Sequence, residues 1–419
     1  MALPTRFHPF RAIGLAALGL VLAWLVVSRT FVAYLARTAP EAALWLRPGD
    51  PEALLNLAER RVDAADGPAG SRDGTERARA WAETALGADP VSARALRVLG
   101  QLAHAAGDDE RAAGYLRRAA RHSIQESAAV SWLLHDSYAK KDYASALHFA
   151  DTLLRTRTRA LPDVLPVMGR MAESASAARE LHKLLAGNPP WRRAFLSGLP
   201  RAVSDARTPL KVLVALKETA NPPDLADIRD YVALLVEHKF YELAYYTWLQ
   251  FLPREQLAGA GFLFNGSFEL SPSGLPFDWQ IHAGMGATVD LAPRPDAARG
   301  HALRIELGPG RVELGGVTQM LLLAPGSYRF GGKYRGEIAG PRGLVWRIAC
   351  AGGTGAPLGQ SPTAIGAAPR WKDVAFSFTV PDAGCRAQQL HLVLDARMPS
   401  EQLVSGTLWY DELTVARAD

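Results

Sequence analysis

The sequence predicts a multidomain chain in three parts: an N-terminal transmembrane helix, an all-α solenoid of repeated helical pairs, and an all-β antiparallel sandwich. Three observations predict it. An uncharged apolar run opens the chain, a 34-residue period of small and aromatic residues follows, and beyond residue 260 glycine, proline and period-two alternation take over. The 419-residue length also exceeds a single core, given roughly 150 residues per domain. The expected divisions are 1–37 for a cytoplasmic tail and anchor, 38–258 for the helical repeats, and 259–419 for the sandwich.

Composition narrows the function classes. With 48% hydrophobic and 21% charged residues, a disordered or collagen-like chain is excluded. Basic residues number 47 against 42 acidic ones, but residues 261–419 carry 14 of each, so the surplus lies in the first 260 residues, toward the apolar run. No basic stripe interleaved with aromatics occurs, which argues against a nucleic-acid partner.

The first element is the run 12–27, AIGLAALGLVLAWLVV, flanked by Arg6, Arg11 and Arg29. Sixteen residues rise about 24 Å, short of the roughly 30 Å hydrocarbon core, so the arginines must snorkel or Phe10 and Phe31 must extend the span. A cleaved signal peptide is the alternative. Bulky Phe31, Tyr34 and Leu35 follow the run where a small-x-small cleavage site would stand, so an uncleaved anchor is the preferred reading. Arginines on both flanks leave orientation undecided. Cys350 and Cys385, the two cysteines of the chain, lie 35 positions apart in the last domain. An exported setting suits a disulfide between them, which would contribute about 3–4 kcal/mol by loop entropy; two inert buried thiols are the other reading. The bulk of the chain is therefore expected outside the cytoplasm, in the periplasm if the anchor sits in a bacterial inner membrane.

The second element is the period. Aligning 75–86, 109–120 and 143–154 superposes Ala78, Ala112 and Ala146, then Trp81, Tyr115 and Phe149, then Ala85, Ala119 and Leu153. Small residues at a fixed place let two helices approach, and an aromatic one turn on fills the adjacent gap. Leu99, Gly100, Gly107, Asp108, Ala112 and Ala119, with Pro90 closing the preceding unit, resemble the tetratricopeptide repeat. The match is good over 50–157, although Leu134 and Lys141 replace its small and glycine positions in the last unit. Residues 226–253 look like a degenerate pair with Ala244 in the alanine place, and prolines obscure the register over 160–223. The resemblance implies an extended surface that binds proteins or peptides; a spacer arm is the plainer alternative.

The third element is a set of alternating segments at 301–308, 326–338, 344–350, 374–380, 390–396 and 406–415. Asn265, Gly266, Ser267, Phe268 and Glu269, with Pro276 and Trp279, resemble the opening strand of jelly-roll carbohydrate-binding modules. The stretches 300–305 and GTLWYDELTV (406–415) resemble a later strand and the closing strand of those modules. The resemblance implies pairing of first and last strands and a structural calcium ion held through Glu269 and Asp411, with solvated or cap-forming acids as the alternative. It also implies glycan binding by exposed rings and planar polar groups, for which Trp346, Trp371, Tyr328, Tyr334, Arg335, Arg347 and Gln319 are the candidates. Trp279 and Trp409 read as core from their apolar neighbours; for the other aromatics, core and surface stay open until strand parity is known.

No zinc-protease helix, phosphate loop, nucleophile elbow or CxxC motif is present, and the Ser137 to Lys140 match to Ser-x-x-Lys lacks its companion motifs. A non-catalytic role is expected. Anchor, repeats and sandwich together resemble accessory proteins of bacterial exopolysaccharide assembly, implying a polysaccharide ligand and membrane-protein partners of a synthesis or export complex. The alternative is a pure protein-interaction scaffold whose sandwich binds no sugar.

Overall fold

The computed structural model describes residues 9–65, 72–296, 299–353 and 356–418. The tail with Arg6 lies outside them, as do the side chains before Ala17. The chain divides into two compact units, Met1–Phe195 and Leu196–Asp419.

The first unit begins with the apolar helix α1 (Pro9–Thr38) and the short α2 (Pro40–Leu46). Hairpins follow: α3 (Pro51–Ala65) with α4 (Arg72–Ala88), α5 (Ala93–Ala105) with α6 (Asp109–His122), α7 (Ser127–Ala139) with α8 (Tyr143–Thr156), then α9 (Leu161–Glu173) with α10 (Ala175–Ala186). The period has a packing cause. Ala78, Ala112 and Ala146 are fully buried, and Leu116 of α6 packs so close to Gly100 that a Cβ there would stand 2.5 Å from its Cγ. Asp108 and Asp142 cap α6 and α8 by accepting from the N–H groups of Arg111 and Ser145. Gly107 turns the α5–α6 hairpin at φ +79°, and Lys141 makes the same left-handed turn at +62° without glycine. Prolines settle the region that hid its register: Pro162 opens α9 as a favoured first-turn residue, whereas Pro166 sits inside it. Helix α11 (Arg192–Ala202) runs across the division between the units.

The second unit holds α12 (Thr208–Lys217), α13 (Leu225–Glu237), α14 (Tyr241–Phe251), α15 (Arg254–Leu257) and the strands. The α13–α14 turn again uses a left-handed lysine, Lys239 at φ +61°. Strands β1 (Gln280–His282), β2 (Ala287–Pro293), β3 (His301–Leu307), β4 (Gly316–Leu321), β5 (Gly326–Ala339), β6 (Leu344–Cys350), β7 (Gly359–Gln360), β8 (Gly366–Val380), β9 (Gln388–Leu394) and β10 (Ser405–Arg417) form two antiparallel sheets. Their orders are β1-β4-β9-β6-β7 and β2-β3-β10-β5-β8. One core fills the space between them, with Leu303, Phe330, Tyr410 and Phe378 from one sheet against Val317, Trp346, Ile348 and Leu390 from the other. Cys350 and Cys385 are bridged.

The expected opening strand is instead a run of turns. Asn265 and Phe268 take left-handed φ of 53° and 57°, incompatible with a strand, and the Asn265 side chain closes the loop by bonding both the N–H and the C=O of Leu270. The segment still meets the last strand, since the Leu413 N–H donates to Gly266 O at 2.8 Å. Residues 196–258, read from sequence as the end of the solenoid, share their compact unit with the sandwich. Trp248 of α14 packs against Phe264 and Phe277, with ring centroids 5.1 and 5.9 Å away, and Arg386 pairs with Glu242 at 2.6 Å.

Candidate functional site

Strand parity sorts the sequence candidates. Along β6, Leu344, Trp346 and Ile348 point into the core and Arg347 points out, so Trp346 and Arg347 lie on opposite faces of one strand. Trp346 is fully buried between Phe330, Tyr410 and Trp279 and has no free face for a sugar. Tyr328 and Tyr334 are buried too, the first stacked on Phe378 and the second against Tyr410. Gln319 is also internal: its amide bonds both the N–H and the C=O of Phe264, clamping the opening segment. These four are removed from the binding set, because an inward position on a half-buried sheet seals both faces of a ring. Arg347 faces out from the first sheet, held by Asp395 and Gln360, beside His391, whose imidazole is pushed down in pKa by burial and then by Arg347.

Two candidates reach the outer face of the second sheet. Trp371 is half-buried, but its Nε1 donates to Asp296 at 2.7 Å and the Arg294 guanidinium lies 5.0 Å over its ring, which occupies one face. Arg335 is half-buried and makes no ion pair among the described residues. Register places it directly across from Trp409, with Arg304 and Asp290 continuing the same outward row over the neighbouring strands.

Trp409 was expected in the core and is not there. Leu408 and Tyr410 are fully inward, so the residue between them faces out and is half-buried. Arg304 is held by Asp290 through two bonds of 2.9 and 2.7 Å and lies 5.8 Å over the Trp409 ring. Trp409, Arg335, Glu337, Thr407, Ser405 and Pro369 line an open groove of about 590 Å³. Its floor is bare because β5 and β10 close up at Gly336 (φ +127°) and Gly406 (φ +132°). A Cβ at either would stand 2.1 Å from a carbonyl oxygen of the facing strand. The groove therefore offers one aromatic ring, a guanidinium that pairs with no acid among the described residues, a carboxylate and hydroxyls, donors and acceptors for polar, ring-shaped ligands.

The acids assigned to calcium do not fit it. Asp411 is 2% exposed, accepting from Arg294 at 2.7 Å and from the Glu412 N–H at 2.7 Å, while Glu269 accepts from the His301 N–H at 3.1 Å. A guanidinium thus neutralises the carboxylate that would bind the ion, and no group of three acidic, histidine or cysteine side chains converges among the described residues. Burial pushes the Asp411 carboxyl up, opposed by the Glu412 N–H and then Arg294.

No family model matches the sequence. No curated protein matches it either. Solved structures similar to this chain include a CBM4 structure at 17% identity, covering 37% of this chain and 99% of that one with a TM-score of 0.29. A CBM61 module solved with β-1,4-galactotriose has 17% identity, covers 38% and 98%, and scores 0.25. The CBM22-1 xylan-binding domain of Xyn10C from Paenibacillus barcinonensis has 16% identity, covers 37% and 94%, and scores 0.26. At such identities and scores, what the sandwich binds rests on its own residues.

Proposed function

We propose that this protein is a non-catalytic, membrane-anchored scaffold in extracellular polysaccharide synthesis or export, in which the sandwich holds a glycan chain and the helical repeats bind partner proteins. The observation that carries the glycan reading is the groove: Trp409 offers a partly open ring beside Arg335, over a floor stripped of side chains. The glycan stacks on Trp409, and Arg335, Glu337 and Thr407 take its hydroxyls. The tetratricopeptide-like register and its buried alanines support the partner-binding role of the repeats.

The uncleaved anchor draws support from the last turn of α1. Ala36 is fully buried against Ala43 and Ala53, and its carbonyl accepts from Asn56 at 2.8 Å, so removal of α1 would strip the first unit of part of its core. The Cys350–Cys385 bridge suits an oxidising compartment and hence a periplasmic location.

The test compares two tryptophans. Trp409→Ala should weaken retention on polysaccharide affinity gels by about fivefold or more, a loss of about 1 kcal/mol or more, with little change in melting temperature. Trp346→Ala should instead cost about 3–5 kcal/mol of stability. Retention unaffected by Trp409→Ala would move the site elsewhere. Absence of retention by the unaltered protein across a broad polysaccharide panel would favour the pure protein-interaction scaffold.

A further inference from the structure

The apolar span Ala17–Thr38 is 22 residues long, and the large side chains from Leu18 to Val27 are exposed. Its last two turns pack on α2 and α3, so the part of α1 left to cross the bilayer is Pro9–Phe31, which at 1.5 Å per residue rises about 34 Å, enough for the roughly 30 Å hydrocarbon core. No linker follows. Ala39 alone separates α1 from α2, and Val32, Leu35 and Leu44 pack on the cluster of Ala36, Ala43 and Ala53. Helix α2 therefore folds back beside the last two turns of α1. The first two turns of α3 meet the end of α1 through Arg37–Glu52 at 3.2 Å and Asn56 to Ala36, while the α1 side chains from Ala17 to Phe31 are exposed apart from Ser28. Helix α3 thus runs onward, away from the span, and each following helix reverses direction.

That alternation sorts the turns by end. At the end nearest the span lie Trp45, at 84% the most exposed large apolar side chain among the described residues, and Leu46, followed by Val91 in the α4–α5 turn and Ile124 in the α6–α7 turn. At the opposite end the α5–α6 turn is Ala106, Gly107, Asp108 and the α7–α8 turn is Lys140, Lys141, Asp142. The exposed large apolar tips lie on the span side, alongside the basic end of α6 and the Arg157–Ala160 turn, and small or polar residues occupy the far side.

We infer that the first unit lies on the bilayer surface, with Trp45, Leu46, Val91 and Ile124 inserted in the headgroup layer beside Phe31 and Tyr34. Tryptophan and tyrosine favour that depth because an apolar ring carries a polar tip. Arg37 pairs with Glu52 and Arg47 with Asp50 at 3.6 Å, while Arg121 beside Ile124 and Arg157 and Arg159 in the α8–α9 turn are exposed, so basic side chains flank the apolar tips and anionic headgroups add to the contact. A repeat array held in this way presents its far turns to partners at a fixed height. The inference rests on the anchor reading, and its test separates the two.

Both native cysteines are bridged, so one introduced cysteine gives one labelling site. The full chain is reconstituted into phosphatidylcholine–phosphatidylglycerol vesicles with an environment-sensitive fluorophore at Leu22→Cys, Leu46→Cys, Ile124→Cys or Ala106→Cys, and lipid-borne spin labels serve as quenchers. Loss of fluorescence is expected at 22, 46 and 124 and none at 106. Quenching at 22 without quenching at 46 and 124 overturns the surface contact and leaves the anchor standing. Equal quenching at 106 and 124 overturns the sidedness. Absence of quenching at 22 overturns the anchor itself. Repeating the 124 measurement with Trp45→Ser checks the mechanism, since loss of the anchoring ring should weaken quenching there, and an unchanged signal removes Trp45 from the contact.

Discussion

Removing the Trp248 side chain should loosen the β-sandwich from a helix that the sequence assigns to the repeats. The ring is 3% exposed, with centroids of Phe264, Tyr245 and Phe277 at 5.1, 5.4 and 5.9 Å. Truncating a buried tryptophan to alanine costs about 3–5 kcal/mol. The ring also lines an open cleft of about 300 Å³ with Phe262 and Gln319, so water can enter the vacated space and the lower figure, about 3 kcal/mol, applies. For a unit of this size, Leu196–Asp419, a loss of 1 kcal/mol lowers the melting temperature by about 2–4 °C, so Trp248→Ala should lower it by about 6–12 °C. Trp248→Phe, which keeps most of the ring contacts, should recover all but about 1.5 kcal/mol. The discriminating assay is hydrogen exchange on the full chain in detergent. Peptides from β10 and β6 should exchange faster in Trp248→Ala together with those of α13 and α14. Faster exchange confined to the helices, with β10 unchanged, would refute the single cooperative unit.

Other expectations follow from individual contacts. Gly100→Ala should destabilise the first unit by about 1–3 kcal/mol in thermal melts, because the added methyl meets Leu116 at 2.5 Å; an unchanged melt would mean that the hairpin packs differently. Arg294→Ala should cost about 2–3 kcal/mol, leaving buried Asp411 without its charged donor, whereas calcium or chelator should leave the unaltered protein's melting temperature where it is; a fall in chelator would reinstate the ion. Glu401 is held down to about 2, from 4.5, by Arg342 first and then the Arg397 N–H. A depressed carboxylate stabilises above its unfolded value and loses that contribution as pH falls, so the gap in urea midpoint between the unaltered protein and Glu401→Gln should close between pH 4.5 and 2. Thiol titration of unfolded, non-reduced protein should find no reactive thiol, and reduction should cost about 3–4 kcal/mol from the 35-residue loop.

The order of elements was legible because each rests on a local period. Ala78, Ala112 and Ala146 announce close-packed helices, and LVWRIAC announces a strand that the structure reproduces as Leu344–Cys350. Short strands with weak alternation escaped, among them β1, β2 and β4, because their pairing partners define them more than their own residues do. The cysteine pair was legible as a pair, and the fold supplied the proximity.

The groove proposed to hold glycan was legible only in part. GTLWYDELTV contains adjacent aromatics, and a strand must send one of the two outward; which one depends on which side of β10 meets the opposite sheet, where Tyr410 packs on Trp346 of β6, a fact the β10 sequence does not hold. Arg335 and Trp371 were named for their chemistry, yet what separates them is long-range. Arg294, far off in sequence, covers one face of Trp371 and neutralises Asp411, while Gly336 and Gly406 bare the floor beside Arg335. By itself the sequence determined the apolar span, the helical period and the strand-rich end, since those depend on residues a few positions apart. Tertiary structure alone decided which rings see solvent and which charges are already matched, since exposure and ion pairing belong to residues brought together from opposite ends of the domain.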